Sequence, residues 1–587
     1  MVTYADRPWT KSYDEGVPHS LEPYPEIPLY ALLDDAAKNH GDRVACIVSL
    51  ELPVVGRIYN EVSYRELGEL SDRLAAALAD MGVKKGDRVA VDLVNSAQFA
   101  IAFFGILKAG GIVVALNPTF PPAQKARQIV DAGAEVAIVM SLFYEGLNSV
   151  RERTPLRRLI VTNIKEYFPG LGKFLFTVAR EKKDGHRVEQ LREGDVWLQD
   201  LLTKYLPSQR PKVDIKPKED TAIFQFTGGT TGIPKAARSP HSALVNNAIQ
   251  MRCWLAGDQS GEERFLAAIP LFHVYGMVAV MTFAVSMASA MIMVPNARDI
   301  DDVLGCIDRF KPTIFMGVPA LYNAINNHPG VAAGKYDLSS IRACISGSAP
   351  LAPETKRRFE ELTGGTVMEG FGMSEAPTAT HCNPLRGENR VGSIGLPFPD
   401  VECRIVSLDD EVTDVPVGEI GELVLRGPAL MTGYHNQPTE TANALRDGWL
   451  YTGDIARMDE DGYFYIVDRK KDMVLIGGFN VYPNEVEKVL MDHPAVAEAA
   501  VAGIPHPEKE GQEALKAWIV LKQGHSATEQ EIIDFCAEQL APYAVPRRLA
   551  FVEALPRTAV GKILRRELVN MEVEQQQQGV SSGAATA

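Results

Sequence analysis

Helical and extended patterns of apolar residues alternate along the first half of the chain. A period of 3.6 residues predicts helices over 64–81 and 99–109 and a further helix from residue 243 onward. Short apolar runs between these segments predict strands over 88–93, 112–116 and 222–226. Helices and strands that alternate at this spacing favour parallel sheets with crossover helices, so the predicted fold class is α/β.

One apolar stretch, 274–297, contains no charged residue and is long enough to span a bilayer. It is rich in Ala, Ser, Met and Gly, and Pro295 lies near its end. A buried helix over about 277–286, followed by a buried strand over 290–294, explains the pattern as well. No second such segment and no flanking aromatic belt accompanies the stretch, which favours the buried interpretation.

The pattern changes near Asp468. A short strand is predicted over 462–467, and the charged run 468–472 follows it. Pro483 then opens a predicted helix with apolar residues on one face. We interpret 468–472 as a linker to a C-terminal domain of about 100 residues, with a solvated surface turn as the alternative. After residue 570 a Gln run and a Gly/Ser/Ala tail predict disorder.

Composition and charge narrow the class of protein. The 587 residues carry a net charge of −15, and 46% of them are hydrophobic, which excludes a mostly disordered or collagen-like chain. A nucleic-acid binder would show the opposite charge balance, so no nucleic-acid partner is expected. Seven scattered cysteines without a CxxC spacing predict reduced thiols, and the charged N-terminus does not resemble a secretory signal. A cytoplasmic location is therefore expected.

A Gly/Thr-rich loop follows the predicted strand over 222–226. Its glycines let backbone N–H groups converge on an anion, while the hydroxyls and a lysine add donors and charge, as a triphosphate requires. The loop does not fit GxxxxGK[ST], and a merely flexible loop is the alternative. The candidate phosphate-binding residues are Thr227, Gly228, Gly229, Thr230, Thr231, Gly232 and Lys235.

This loop resembles the phosphate-binding loop of the adenylate-forming superfamily, which includes acyl-CoA synthetases, peptide-synthetase adenylation domains and luciferases. The resemblance implies a large N-terminal AMP-binding domain over 1–468, built of parallel sheets with flanking helices and a small β-barrel subdomain. It further implies a hinge over 469–472 and a mobile α+β lid domain over 473–570, which leaves 571–587 as the disordered tail.

Further segments resemble other superfamily motifs in the expected order. His273 would line the acyl site, although a lone histidine in an apolar run is usually a core residue. Phe371 offers a ring face on which adenine could stack. Glu375, with Thr230, would bind Mg²⁺, a hard cation that suits carboxylate and phosphate oxygens. The residues implied to surround the adenine and phosphate are Gly347, Ser348, Ala349, Pro350, Gly370, Phe371, Gly372, Met373 and Ser374.

The C-terminal motifs imply the ribose contact, the hinge, the thiol tunnel and the catalytic cation. Asp454 and Arg469 would hold the ribose hydroxyls, and Lys471 takes the hinge position. Lys562, in a Pro-x-Thr-x-x-Gly-Lys frame, would be catalytic, with a surface lysine as the alternative. The residues expected to line the CoA tunnel are Gly477, Gly478 and Phe479. One departure follows Lys235: Ala236 stands where relatives usually carry Gly.

The resemblance implies an ATP-dependent ligase that activates an acid as acyl-AMP and transfers it to CoA, with Mg²⁺ as cofactor. The N-terminal stretch 7–18 and the block 468–487 resemble bacterial long-chain fatty acyl-CoA synthetases, so a long-chain fatty acid is expected. The alternatives are a fatty acyl-AMP ligase that serves a carrier protein, a medium-chain or aryl acid CoA ligase, a luciferase-like oxygenase and a non-enzymatic lipid-binding scaffold. The oligomeric state is open, a homodimer included.

A basic segment within an acidic chain raises the question of membrane contact. Residues 151–192 hold eleven Lys/Arg and five Asp/Glu side chains. Apolar residues lie among these charges: Phe168, Leu171, Phe174, Leu175 and Phe176. We interpret the segment as one that rests on the inner, anionic face of a membrane, with a solvated loop of mixed charge as the alternative.

Overall fold

The computed structural model describes residues 2–52, 56–227, 234–255, 262–476, 479–506, 513–558 and 561–573. The chain divides into two compact units. The large unit comprises Trp9–Glu402 and Leu425–Leu450, and the small unit comprises Met1–Pro8, Cys403–Val424 and the chain from Tyr451 onward. The predicted domain limits, at 468 and 570, stay predictions.

The described strands, in chain order, are β1 Val44–Leu52, β2 Gly56–Ser63, β3 Arg88–Asp92, β4 Ile112–Ala115, β5 Val136–Met140, β6 Arg158–Thr162, β7 Val196–Trp197, β8 Thr221–Thr227, β9 Lys235–Pro240, β10 Arg264–Ala267, β11 Ala290–Met293, β12 Ile314–Gly317, β13 Ala343–Ser346, β14 Thr366–Met373, β15 Ala376–Cys382, β16 Leu396–Pro397, β17 Glu402–Val406, β18 Gly421–Arg426, β19 Gly433–Tyr434, β20 Leu445–Arg446, β21 Trp449–Met458, β22 Phe464–Arg469, β23 Val474–Ile476, β24 Phe479–Val481, β25 Val496–Pro505, β26 Glu513–Leu521 and β27 Arg548–Phe551.

The described α-helices are α1 Ala31–Asn39, α2 Tyr64–Asp80, α3 Ala97–Lys108, α4 Pro122–Ala132, α5 Ser141–Val150, α6 Gly170–Ala179, α7 Leu198–Lys204, α8 His241–Trp254, α9 Val274–Gly276, α10 Phe283–Ser286, α11 Ile300–Phe310, α12 Pro319–Asn326, α13 Pro329–Ala332, α14 Pro353–Thr363, α15 Pro438–Ala444, α16 Pro483–Asp492 and α17 Glu529–Gln539. Short 3₁₀ turns occupy Tyr4–Asp6, Pro8–Ser12, Arg151–Arg153, Ile164–Tyr167 and Pro207–Gln209.

Two mostly parallel sheets form the large unit, which confirms the predicted α/β class. The first has nine strands in the order β16-β15-β14-β13-β12-β10-β11-β1-β2, and its strands from β14 to β1 are parallel. The second has eight strands in the order β19-β9-β8-β4-β3-β5-β6-β7, of which β8 to β7 are parallel. Each sheet has its own apolar core. Ligand sites in such folds lie beyond the carboxyl ends of the parallel strands.

The uncharged stretch 274–297 is buried in the large unit. A continuous helical run over 274–286 changes to a π-helix over Met277–Thr282, and β11 follows within the nine-stranded sheet. The buried helix and strand expected from the sequence are therefore confirmed. Within the described ranges, no helix is both long and apolar enough to cross a membrane.

The described residues of the small unit contribute strands to three sheets. Strands β17, β18, β21 and β22 belong to a five-stranded sheet in the region where a small barrel is expected. Strands β23 and β24 form a hairpin, and β25, β26 and β27 form a three-stranded sheet that packs with α16 and α17 around one core. Glu572, which the sequence analysis placed in the tail, is buried and forms an ion pair with Lys516.

The seven cysteines all lie within the described residues, and none of them forms a disulfide bond there. Six of them are buried and Cys253 is half-buried. Burial raises the pKa of Cys46 to about 12 and that of Cys306 to about 11, so both thiols are protonated and unreactive at neutral pH. Six of the seven cysteines are thus core residues, and the reduced state of the thiols stays a prediction.

Candidate active site

A buried carboxylate with an unused oxygen lies in the small unit. Asp454, on β21, is 2% exposed, and its Oδ1 accepts an ion-paired hydrogen bond from Nε of Arg469 at 3.0 Å. The two residues are paired directly across the antiparallel strands β21 and β22. Oδ2 of Asp454 is buried without a hydrogen-bond partner among the described residues. Since buried polar atoms are almost always hydrogen-bonded, this oxygen is suited to accept a hydrogen bond from a hydroxyl group of a ligand.

Lys562 lies beside this pair. Its backbone is held in a turn, in which Thr558 N–H donates to the carbonyl of Lys562 at 2.8 Å and Lys562 N–H donates to Oγ1 of Thr558 at 3.1 Å. Burial, and then the positive charge of Arg469, lower the pKa of the Lys562 ammonium to about 8, against the opposing effect of Asp454. Lys562 is half-buried, and no described carboxylate forms an ion pair with it. Its positive charge is therefore available to an anionic ligand.

This lowered pKa predicts a pH dependence of catalysis. If the Lys562 cation is required for the ATP-dependent acid activation that the sequence resemblance implies, kcat/KM for ATP falls as pH rises through about 8, because the ammonium loses its proton there. The Lys562→Arg variant should be slower than the unchanged chain. Its rate should not change with pH up to pH 9, because arginine stays charged. Pyrophosphate release measured without CoA, from pH 6.5 to 9.5, tests this; an identical decline in Lys562→Arg would contradict it.

In the large unit, Lys235 begins β9 opposite Thr227, the last residue of β8. Its Nζ forms an ion pair with Glu440 and lies 5.3 Å from the ring centre of Tyr434. The Tyr434 hydroxyl donates a hydrogen bond to Oε1 of Glu375 at 2.7 Å. We call Lys235, Glu440, Tyr434 and Glu375 the Lys235 cluster. It places a cation and a half-buried carboxylate together at the end of the loop.

The two segments expected to contact adenine follow neighbouring strands. Strands β13 and β14 are parallel and adjacent, with Ser346 opposite Glu369. Gly347 is buried against the Tyr275 ring, and Ser348 adopts the left-handed region at φ 72°. Phe371 is half-buried, and its ring packs edge-on against His381 at 5.8 Å. Ser374 and Glu375 form the turn of the β14–β15 hairpin and do not cap a helix.

Gly372 can only be glycine. A Cβ atom at this position would overlap the backbone carbonyl of Thr378 on β15. We therefore expect Gly372→Ala to destabilise the large unit by about 3 kcal/mol, at the upper end of overpacking effects. Urea unfolding measures this difference. Gly170→Ala is the control, because nothing lies within 4 Å of its added Cβ and its change should be under about 1 kcal/mol. If Gly372→Ala unfolds at the same midpoint concentration of urea as the unchanged chain, the expectation is contradicted.

His273 precedes the helical run over 274–286. Its Nδ1 accepts the N–H of Tyr275 at 3.2 Å, and burial lowers the pKa of the imidazole to about 4. The side chain is therefore neutral at physiological pH. The Tyr275 hydroxyl donates to the carbonyl of Ile345, at the end of β13, at 2.8 Å. His273 thus lies two residues from a side chain that contacts the strand before Gly347.

Other expected site residues are exposed or lie outside the described ranges. Lys471 is exposed in the turn between β22 and β23, a position compatible with a hinge. Phe479 is exposed and stacks on Tyr543 at 4.6 Å between ring centres. The expected site residues outside the described ranges are Gly228, Gly229, Thr230, Thr231, Gly232, Gly477 and Gly478.

The profile of AMP-binding enzymes matches residues 33–435, and the profile of the AMP-binding enzyme C-terminal domain matches residues 485–562. This chain belongs to the AMP-binding enzyme family. A long-chain-fatty-acid–CoA ligase of Bacillus subtilis (strain 168) is 39% identical to this AMP-binding enzyme over 573 residues, which are 97% of this chain and 99% of the relative.

Solved structures of AMP-binding enzymes have the same fold. ATP-bound MatB from Rhodopseudomonas palustris superposes with a TM-score of 0.78 at 26% identity, over 93% of this chain and 99% of that chain. The anthranilate CoA ligase AuaEII, in complex with anthranoyl-AMP, superposes with a TM-score of 0.77 at 28% identity, over 92% of this chain and 96% of that chain.

Sequence reasoning missed two residues of the Lys235 cluster. Tyr434 contacts Glu375, which lies 59 residues earlier in the sequence. Glu440 contacts Lys235, which lies 205 residues earlier. Neither residue lies in a segment with a recognisable local pattern. Tyr434 does not belong to a glycine-rich loop, so it gives no chemical signal by itself. The pairing of β19 with β9 brings it to Lys235 of this AMP-binding enzyme.

Proposed function

We propose that the chain is an AMP-forming ligase that activates a long-chain fatty acid with ATP and transfers the acyl group to CoA. The observation that carries the proposal is the unpartnered Oδ2 of Asp454, beside Arg469 and Lys562. A buried carboxylate can accept hydrogen bonds from both vicinal ribose hydroxyls, and the neighbouring lysine supplies the positive charge that attack of the acid on the α-phosphorus requires.

In the first half-reaction, a carboxylate oxygen of the fatty acid attacks the α-phosphorus of ATP, and pyrophosphate leaves. Asp454 holds the ribose, and Lys562 stabilises the negative charge that develops on the reacting oxygens. Lys235 and the loop from Thr227 hold the phosphates, while Phe371 and the segment 347–350 accommodate adenine. The protein supplies no nucleophile, so catalysis rests on positioning and charge.

In the second half-reaction, the CoA thiolate attacks the acyl carbonyl of the mixed anhydride, and AMP leaves with one carboxylate oxygen. Lys562 has no role in this step. We propose that the chain beyond Lys471 reorients between the two steps, so that the loop ending in Phe479 guides the pantetheine arm in place of Lys562. His273, which is neutral, lines the acyl site without taking a proton.

Mg²⁺ fits the residues present. Among the described residues there is no cluster of three or more potential ligands, but Mg²⁺ on a nucleotide needs one or two carboxylates beside phosphate oxygens. Glu375, whose carboxylate is fixed by Tyr434, is suited to that role. When bound, Mg²⁺ supplies positive charge to the phosphate oxygens.

We expect Glu375→Gln to raise the Mg²⁺ concentration for half-maximal activation by at least about tenfold, since even outer ligands change metal affinity by that amount. A Mg²⁺ titration of pyrophosphate release at fixed ATP measures the change. Glu193→Gln, at an exposed position, is the control. An unchanged half-maximal concentration in Glu375→Gln would assign the metal to other residues.

The long-chain substrate is supported by the B. subtilis relative, which is more similar to this chain than is the anthranilate ligase. A panel of acids from acetate to C20, together with benzoate and anthranilate, tests it by AMP formation with and without CoA. The proposal predicts the highest kcat/KM for the long-chain fatty acids of the panel and AMP turnover that requires CoA. Highest activity with an aryl acid, or turnover with a carrier protein alone, would replace it with one of the alternatives.

A further inference from the structure

Helix α6, outside the candidate active site, has one face packed on the large unit. Gly172 and Phe176 are buried on this face. The ring of Phe176 packs edge-on against Phe168 at 5.6 Å and against His186 at 5.7 Å. A Cβ atom at Gly172 would crowd Ile58 on β2, so the helix lies close against that strand. Phe168 and Phe176 therefore belong to the interior, so only some of the apolar residues in the segment 151–192 are available to a membrane.

The opposite face of α6 is apolar and exposed. Leu171, Phe174 and Val178 are 58%, 64% and 72% exposed. Their spacing of three and four residues places them on one side of the helix. A surface helix normally turns polar residues to solvent, and a row of large apolar side chains in that position marks an interaction surface. We call these three residues the outer face of α6.

The charges around the outer face are partly compensated within the segment. Lys165 pairs with Glu181 at 2.6 Å and Arg180 pairs with Asp184 at 2.8 Å. Lys182 and Lys183 are exposed and form no ion pair with any described residue. Residues 165–187 contain six basic and three acidic side chains, whereas the whole chain carries −15.

The free lysines lie next to the apolar row. Helix α6 ends at Ala179, and in the turn that follows it Asp184 N–H donates to the carbonyl of Arg180 at 2.7 Å. Lys182 and Lys183 are exposed in this turn, four and five residues after Val178 in the sequence. Large apolar side chains with lysines beside them match a bilayer surface, where the apolar groups enter the lipid and the lysine stems reach acidic headgroups.

We propose that α6 docks the protein on an anionic lipid bilayer, with Leu171, Phe174 and Val178 inserted at headgroup level and Lys182 and Lys183 against the acidic headgroups. This inference is independent of the proposed function, because it rests on the surface of α6 alone. It predicts binding to vesicles without ATP, CoA or fatty acid.

Flotation of the full chain with vesicles tests the proposal. The chain should bind vesicles of phosphatidylglycerol and phosphatidylcholine at least about tenfold more tightly than vesicles of phosphatidylcholine alone, and 0.5 M salt should weaken the binding. Phe174→Glu, and the double change Lys182→Gln with Lys183→Gln, should each reduce binding about tenfold or more. The matched controls, Val412→Glu and Lys522→Gln, alter exposed residues elsewhere and should bind like the unchanged chain.

A second variant reports insertion directly. The Phe174→Trp variant should gain fluorescence at shorter wavelengths when anionic vesicles are added. Neutral vesicles should cause no such change. Absence of binding by the unchanged chain, full binding by Phe174→Glu, or no fluorescence shift would each overturn the proposal. Conversion of a dimer to a monomer by Phe174→Glu, with vesicle binding unaffected, would overturn it in favour of an interface between two copies of this chain.

Discussion

Lys562→Ala should slow acyl-adenylate formation by about a hundred- to a thousandfold, the range measured when one preorganised charge-stabilising donor is removed. The ammonium lies beside the Asp454–Arg469 pair, and burial has lowered its pKa to about 8. Such a group is poised to strengthen its interaction as negative charge develops in the transition state. Transfer of the acyl group from supplied acyl-AMP to CoA should stay within about threefold of the unchanged chain, because the proposed mechanism gives Lys562 no role in that step.

Two assays on the same preparations separate these outcomes. Pyrophosphate release without CoA measures the first half-reaction, and consumption of synthetic acyl-AMP with CoA measures the second. Lys522→Ala removes an exposed lysine of the small unit and should leave both rates unchanged. Equal loss in both half-reactions of Lys562→Ala would show that the lysine supports the fold or both steps, and would contradict the assigned role.

Asp454→Asn should lower kcat/KM for ATP by about a hundredfold. Each hydrogen bond to a charged group contributes about 1.5–3 kcal/mol, and the two ribose hydroxyls would lose this acceptor together. Asparagine has nearly the same shape, so the buried site should stay filled. The change also removes the negative charge that pairs with Arg469, which adds to the loss rather than offsetting it.

Deoxynucleotides make the assignment specific to the ribose. With the unchanged chain, 2′-deoxy-ATP and 3′-deoxy-ATP should each be poorer substrates than ATP by about tenfold or more. In Asp454→Asn this discrimination should shrink to a few-fold, because the group that reads the hydroxyl is gone. Asp534→Asn, on the surface helix α17, is the control. Undiminished discrimination in Asp454→Asn would place the ribose elsewhere.

Much of the framework is readable from local pattern. The predicted helix over 64–81 is α2 Tyr64–Asp80, and the predicted strand over 112–116 is β4 Ile112–Ala115. These elements carry strong periodicity, and Ser63 caps α2 with the hydrogen bonds expected of a capping box. The strand before the Gly/Thr loop is β8 Thr221–Thr227, one residue longer at each end than predicted.

The remainder depends on contacts between distant segments. Nothing near Tyr434 in the sequence shows that its hydroxyl binds Glu375, since that contact requires the pairing of β19 with β9. Composition alone likewise could not separate Phe176, which is buried, from Phe174, which is exposed, two residues before it. Which side of a helix faces the protein is set by the neighbouring sheet, and the charge pattern of the segment does not encode it.

The transfer of oxygen from the fatty acid to AMP tests the central claim most directly. Palmitate labelled with ¹⁸O in both carboxylate oxygens would be incubated with the protein, ATP, Mg²⁺ and CoA, and the nucleotide product analysed by mass spectrometry. Attack of the carboxylate on the α-phosphorus predicts AMP that carries one ¹⁸O atom and unlabelled pyrophosphate. Unlabelled AMP, or ADP with the label in inorganic phosphate, would contradict the account.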